Sequence, residues 1–317
     1  MQGSGRRYMA VRGGGRGARF AQYMRRNWIF YLFLLPAVLD VIIFRYAPMY
    51  GIQIAFRDYK VRRGISGSEW VGLEYFLQFI ETPNFWQIMV NTLLLSFYNL
   101  LFGFPIPILL AVMINEIHRP MVKRVTQMLT YMPHFISMVA VVGLIQLILD
   151  RDSGIVNILL KALGMEQQNF IGSPGAFRSI YVVSEIWQHA GWGTIIYLAA
   201  LSNVDMDSLD AAKIDGASRL QKIWYIDLPT IAPSIVVMLI LRAGSVLNIG
   251  FEKVYLLQND LNRGVSEVIA TYIYRLGIVG GQFSYTTAIG LFNNIVNAVL
   301  LVAVNQISRM AGDTSLW

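Results

Sequence analysis

The side chains best able to do chemistry in this 317-residue chain lie in short polar runs inside long apolar segments. Glu185 is followed by Trp187, Gln188, His189 and Trp192, a carboxylate, an amide, an imidazole and two indoles gathered on a short helical stretch. Carboxylates and amides hydrogen-bond paired hydroxyls, and indoles offer flat apolar faces, so the run suits a hydroxyl-rich ligand such as a sugar. It suits an aromatic belt with Glu185 at the water's edge equally well. Asn293, Asn294 and Asn297 form an amide cluster in which residues 293 and 297 share a helical face, with Tyr285 and Phe292 nearby. Asn248, Phe251 and Glu252 stand at the end of the preceding apolar segment. Such amides either cement helix pairs or line a polar path. Asp40, Glu185 and Arg242 are ionisable groups within apolar segments, where a charge needs a partner or a watery path. Arg242 could answer a span carboxylate or an anionic ligand.

Catalysis finds no support in these residues. His118, His134 and His189 are dispersed without metal-ligand spacing, so neither a catalytic residue nor a metal site is expected. Cysteine is absent, which excludes disulfides and thiolate sites. No G-x-x-x-x-G-K-S/T loop occurs, so the chain should not hold ATP in a P-loop.

A different kind of chemistry, docking, is written between residues 201 and 230. Asp207 can cap a helix whose third position is Asp210. Leu209, Ala212, Gly216 and Leu220 then recur on one face, and Ala211 and Ala212 keep the surface thin. Asp210 and Lys213 are three residues apart, close enough to pair. Gly216 suits the left-handed turn that ends a helix, and Pro229 and Pro233 mark the start of the next apolar segment. A helix-glycine-helix that buries nothing of its own is shaped to be buried by another chain. A solvated connector would show the same residue types.

The elements that must hold these groups are read from hydropathy. Apolar residues make up 55% of the chain and charged residues 14%, against about 25% charged in a soluble domain. Aromatic content of 13% fits rings at two interfaces. Six segments approach the about 20 apolar residues needed to span a bilayer: 28–45, 88–114, 127–149, 179–200, 231–250 and 284–307. The fold class expected is all-α, a polytopic membrane protein. The first segment is too long for a signal-peptide core and is expected to end at Arg45-Tyr46 and Pro48. Pro105 and Pro107, Pro133, and Gly191 and Gly193 interrupt the second, third and fourth segments, either for close packing or as breaks along a path. Outside the spans, 46–87 should form a packed cap, 153–164 a short amphipathic helix and 259–283 a third surface element.

The net charge of +7 is not a nucleic-acid signal, because seven arginines (Arg6, Arg7, Arg12, Arg16, Arg19, Arg25 and Arg26) precede the first span without one acidic residue. No aromatic stacking module follows them, so no nucleic-acid partner is expected. They fit a disordered cytoplasmic tract over 1–27, and an even span count then puts the 311–317 tail and the 201–230 loop on the cytoplasmic side too.

The segment Asp210-Ala211-Ala212-Lys213-Ile214-Asp215-Gly216-Ala217, followed by Trp224 and Leu228-Pro229, resembles the E-A-A-x-x-x-G signature of permease subunits of type I ABC importers. Asp210 replaces the glutamate with charge kept, and Trp224 stands where phenylalanine is common. Tyr131-Met132-Pro133-His134-Phe135-Ile136-Ser137, Pro83-Asn84-Phe85-Trp86 with Asn91-Thr92, and Trp187-Gln188-His189-Ala190-Gly191-Trp192 resemble the maltose-permease-like branch that handles polysaccharides and complex oligosaccharides. The resemblance implies a multi-pass subunit of the bacterial cytoplasmic (inner) membrane, bathed by membrane lipid. It implies a second homologous permease, two ATP-binding subunits and an extracytoplasmic solute-binding protein as partners. No cofactor would sit in this chain, ATP and Mg being held by the partner ATPases. Leu209, Asp210, Ala211, Ala212, Asp215, Gly216, Ala217 and Pro229 would then couple to the ATPases. Glu185, Trp187, Gln188, Trp192, Asn248, Asn293 and Asn297 would line the path for an oligosaccharide, acidic if Arg242 meets it. An ion-gradient carrier, a membrane scaffold and an importer of a non-sugar solute are the alternatives.

Overall fold

The computed structural model describes residues 23–311, so most of the expected 1–27 tract and the 311–317 tail beyond its first residue lie outside the described residues. The chain divides into two units, residues 1–53 and 54–317. The first holds α1 (Trp28–Val41), which runs on through a widened turn, Ile42–Tyr46, into a tighter stretch, Ala47–Phe56, whose last three residues fall in the second unit. The first span was expected to stop near residue 45. The helical run is instead 29 residues, Trp28–Phe56. A proline lacks its N–H and crowds the carbonyl four residues back. The widened turn just ahead of Pro48 relieves both demands.

In the second unit, β1 (Arg57–Asp58) pairs antiparallel with β2 (Glu69–Trp70), Arg57 opposite Trp70 and Asp58 opposite Glu69. Phe56 stacks on Trp70 with ring centroids 5.5 Å apart, and α2 (Glu74–Glu81) follows, giving a folded cap that begins at the end of the helical run, near residue 56, rather than at the expected residue 46. The second span joins α3 (Phe85–Tyr98) to α4 (Pro105–Asn115) through a widened turn, Asn99–Gly103, placed before Pro105 as the other was before Pro48.

The third span, expected over 127–149 with Pro133 interrupting it, starts earlier, at Pro120, and is broken. Its halves, α5 (Pro120–Tyr131, extended by Met132–Phe135) and α6 (Met138–Leu149), meet at 98°. Ile136 and Ser137 are extended, and the Ser137 hydroxyl accepts the Ala140 amide at 3.3 Å, so a new helix starts there. The amphipathic helix expected within 153–164 is α7 (Ile155–Ala162).

The fourth span, α8 (Pro174–Leu201), has 28 residues, about 42 Å at 1.5 Å per residue. The fifth was expected over 231–250 but runs over Arg219–Ala243. It comprises α10 (Arg219–Lys222), a widened turn Ile223–Asp227 ahead of Pro229, and α11 (Leu228–Ala243). Its far end stops at Gly244, whose missing side chain admits Leu301 of the last span, so residues 244–250 turn rather than continue. Before it stands α9 (Met206–Ile214). Then follow α12 (Phe251–Leu257), α13 (Arg263–Ser266), α14 (Ile269–Ile273) and the last span, α15 (Phe283–Ala311). Among the described residues four helical runs are long and apolar enough to cross a membrane, five with the bent pair. The sixth, α8, has the length but carries Arg178, Glu185, Gln188 and His189, and so the polar groups of interest.

Three apolar clusters hold the second unit. One unites Phe79, Phe85, Ile88, Tyr272, Tyr285 and Ile289. A central one unites Leu95, Val142, Tyr181, Val182 and Val254. The third, Ala111, Val112, Tyr197, Leu201 and Ile231, closes the end from which α9 projects. Gly191 lets α8 lie directly on the Thr130 carbonyl of α5, where any Cβ would overlap that oxygen. Burial of this kind fixes the helices against one another and thereby fixes the polar groups between them.

Candidate functional site

Between the second, fourth and fifth spans lies a cavity of about 160 Å³ lined by Ser96, Asn99, Tyr181, Glu185, Arg242 and Asn248, among others. Glu185 projects from the middle of α8, and its carboxylate accepts the Lys253 ammonium at 2.7 Å. Lys253 is only 1% exposed and also lies 5.7 Å from the centre of the Tyr181 ring. A buried ammonium is tolerable only because of such a partner. Lys253 therefore neutralises Glu185, and Arg242 is left as the uncompensated charge of the cavity. Among the described residues, Arg242 makes neither an ion pair nor a hydrogen bond. The sequence left open whether Arg242 answers a span carboxylate; Glu185 is answered by Lys253 instead.

The asparagines brace this wall. The Asn293 and Asn297 amides both donate to Asn248 Oδ1, at 2.9 and 3.1 Å. Asn297 Oδ1 accepts the Leu247 amide at 3.1 Å. Residues 244–250 are held by turns, the Ser245, Val246 and Asn248 amides returning to the Arg242, Ala243 and Ser245 carbonyls, and α15 supplies the acceptor for the Leu247 amide from its side. Asn293 and Asn297 are buried, whereas Asn248 is exposed to the cavity. The first two support the cavity and the third faces it.

The other expected path residues separate. Gln188 is buried and its amide donates to the Ile136 carbonyl at 3.2 Å, in the break of the third span. Trp192 stacks flat on His134, 4.6 Å between ring centres and 3° between planes. His134 Nδ1 lies 2.9 Å from His189 Nδ1, and His189 Nε2 lies 3.5 Å from Glu185. A polar chain thus links the break to the cavity. Trp187 turns away into an apolar groove with Val141, Leu144 and Ile148 of α6, so it is not brought to the cavity. Lys253 was missed in the sequence, and His134 stands out there only as one of three dispersed histidines and as part of a family resemblance. Their partners are 68 and 55 residues distant, and only the fold brings them together.

At the far end of the bundle stands the helix-glycine-helix element. Its start differs from the expected one: the cap is Asp205, not Asp207. Asp205 is the last extended residue, and its carboxylate accepts the Asp207 and Ser208 amides at 3.3 and 3.2 Å. The Ser208 hydroxyl, at 2.9 Å, and those amides hold the Asp205 carboxyl below the ordinary carboxylate range. Asp207 lies two residues further in, within the first turn, where its charge meets the positive helix end. Asp210 pairs with Lys213 at 2.8 Å on an exposed face.

Gly216 ends the helix at φ 70°. The Ala217 amide returns to the Ala212 carbonyl at 2.9 Å and the Gly216 amide to Lys213 at 3.2 Å, a Schellman closure. Ser218 and Gln221 then form a capping box that starts α10. Asp215, Gly216 and Ala217 line a concave surface with Ala212 and Tyr225. Leu209 and Ala212 are half-covered, while Asp210, Ala211 and Pro229 are exposed. Ile214 is 87% exposed and Leu220, Trp224 and Tyr225 are exposed too, so the element carries an unfilled apolar surface. Lys222 ties it to the bundle, pairing with Glu116 at the end of α4 and with the buried Asp227 at 3.3 Å.

Residues 103–309 match the family of binding-protein-dependent transport system inner membrane components. The chain belongs to that family. It is 42% identical to protein LplB of Bacillus subtilis, over 96% of this chain and 95% of that one. It is 45% identical to the B. subtilis polygalacturonan/rhamnogalacturonan transport system permease YteP, over 90% and 89%. Among solved structures it is similar to a chain of a bacterial ABC transporter involved in import of the acidic polysaccharide alginate. That match has a TM-score of 0.84 and 40% identity, covering 92% of this chain and 99% of that one. A further match, at TM-score 0.85 and 39% identity, is to the alginate transporter in complex with alginate pentasaccharide-bound periplasmic protein. The family is a transport family, and the fold is its all-α permease fold.

Proposed function

We propose that the chain is a permease subunit of an ATP-driven importer and forms, with a second homologous permease, the path for an acidic oligosaccharide. A solute-binding protein delivers the ligand from outside, and two ATP-binding subunits receive the helix-glycine-helix element. Both termini and that element face the cytoplasm, in keeping with the arginines ahead of the first span. Residues 209–217 transmit motion, and ATP and Mg stay on the partner subunits. The observation that carries the ligand class is Arg242, an unpaired guanidinium beside a Glu185 already neutralised by Lys253. A uronate carboxylate would complete it, while Asn248 and Asn99 are placed to meet hydroxyls. Relatives whose names refer to acidic polysaccharides, alginate and polygalacturonan, support the same class.

The test is ATP hydrolysis by the reconstituted complex with its binding protein, titrated with trigalacturonate, an alginate pentasaccharide and the neutral maltotetraose. Stimulation by an acidic probe is expected. A hydrogen bond to a charged group contributes about 1.5–3 kcal/mol, so Arg242→Gln should raise KM for the acidic probe roughly 10- to 100-fold. Equal KM values for the two proteins would remove Arg242 from the ligand site, and stimulation by maltotetraose alone would overturn the acidic class.

A further inference from the structure

The triad of Glu116, Lys222 and Asp227 does not line the cavity and lies outside residues 209–217. Lys222 stands one residue before the widened turn Ile223–Asp227, and Asp227 is five residues after it. In a regular α-helix, residues five apart point about 140° from each other. The extra residue in the turn brings the two onto one side, so the ion pair exists because the turn is wide. Asp227 is 1% exposed, and neither carboxylate oxygen has a hydrogen-bond donor, so Lys222 is what compensates its charge. The same ammonium reaches Glu116, which ends α4, and α4 is the half of the second span that lies along α8. One side chain thus joins the docking element to the second span, and through its own helix to the fifth. Those two spans supply Ser96, Asn99 and Arg242 to the cavity.

We propose that Lys222, held between Glu116 and Asp227, is the strut that carries displacement of the 206–217 element to the cavity, acting as a positioning residue for transport. The inference rests on the ATP-driven reading above. A half-buried lysine paired with a buried carboxylate in a widened turn is suited to this role, because breaking the pair leaves that carboxylate unpaired and the turn has no reason to stay wide. The element is then obliged to move with both spans or not at all.

The chain contains no cysteine, so single labels can be placed cleanly. A nitroxide at Ile214→Cys reports on the docking element and one at Ser245→Cys on the cavity wall, each in the full complex with ATP, Mg and vanadate. Both labels should respond to nucleotide in the otherwise unaltered chain. Glu116→Gln, and Lys222→Gln with Asp227→Asn so that no carboxylate is stranded, should reduce the Ser245 response roughly 2- to 30-fold while the Ile214 response persists. Lys222→Arg should keep both. Undiminished Ser245 response in assembled Glu116→Gln complexes would overturn the strut, whether or not the double variant assembles. A loss of both responses in step with lost assembly would also overturn it, since a purely structural role predicts that. Failure of the Ile214 label to respond in the unaltered chain would instead refute the ATP-driven reading, and the strut with it.

Discussion

Gly216 offers the sharpest mutational prediction, because its constraint is one of backbone alone. Its φ is 70°, and a Cβ built there meets nothing within 4 Å. Replacement therefore causes no clash, and any loss comes from forcing an L-residue into the left-handed region. That costs about 1–2 kcal/mol for an ordinary side chain, roughly 5- to 30-fold in the population of the closed helix end. Asparagine tolerates the region and should lose least, while valine, β-branched, should lose most. What is lost is the return of the Ala217 amide to Ala212 and of Gly216 to Lys213, and with it the angle between α9 and α10. Ligand-stimulated ATP hydrolysis and uptake in proteoliposomes should fall in the order Gly, Asn, Ala, Val, with membrane insertion unchanged. Equal uptake by the glycine and valine forms would refute the reasoning. Equal loss by Asn, Ala and Val would show that the smallness of glycine, not its φ, is what matters.

Three further outcomes follow from the packing and caps. Gly191→Ala drives a Cβ into the Thr130 carbonyl and should cost about 1–3 kcal/mol or more, lowering the Tm of the solubilised complex; an unchanged Tm would mean α5 and α8 can part freely. Asn248→Ala and Asn297→Ala share one hydrogen bond, so a double-mutant cycle in thermal unfolding should show coupling of about 0.6–1.7 kcal/mol, and strict additivity would contradict the brace. Asp205 has a depressed pKa, so its contribution to the α9 cap is complete above the ordinary carboxylate value and is lost as pH falls through the lower folded value. Its carboxyl carbon should titrate in the full chain with a midpoint below 3.8, and a midpoint above that would contradict the cap.

Much of the fold was legible because hydrocarbon leaves few options for a chain. The even count of six segments and the helix ending at Gly216 follow from hydropathy and from φ preference. The errors have local causes. Pro48 reads as a stop, yet a widened turn before it lets the helix continue to Phe56, and the same device precedes Pro105 and Pro229. The break at Ile136–Ser137 has only Pro133 to announce it, and the cap of α9 fell two residues early because Asp205 and Asp207 are both acidic. The cavity was half legible. Glu185, Arg242 and Asn248 stand out as polar groups in apolar segments, but pairings across dozens of residues, Glu185 with Lys253 or Lys222 with Glu116, leave no periodic trace. Trp187 and Gln188 are adjacent in sequence yet about 100° apart on a helix, so one faces an apolar groove and the other the break.

The central claim is that ATP on partner subunits drives an acidic oligosaccharide through this chain and its homologue. The direct measurement is uptake of labelled trigalacturonate or alginate pentasaccharide into proteoliposomes holding the full complex, with the binding protein outside and ATP with Mg inside. Uptake should require enclosed ATP, stop with vanadate, and be indifferent to proton and sodium gradients. Uptake driven by an imposed gradient without nucleotide would contradict the account.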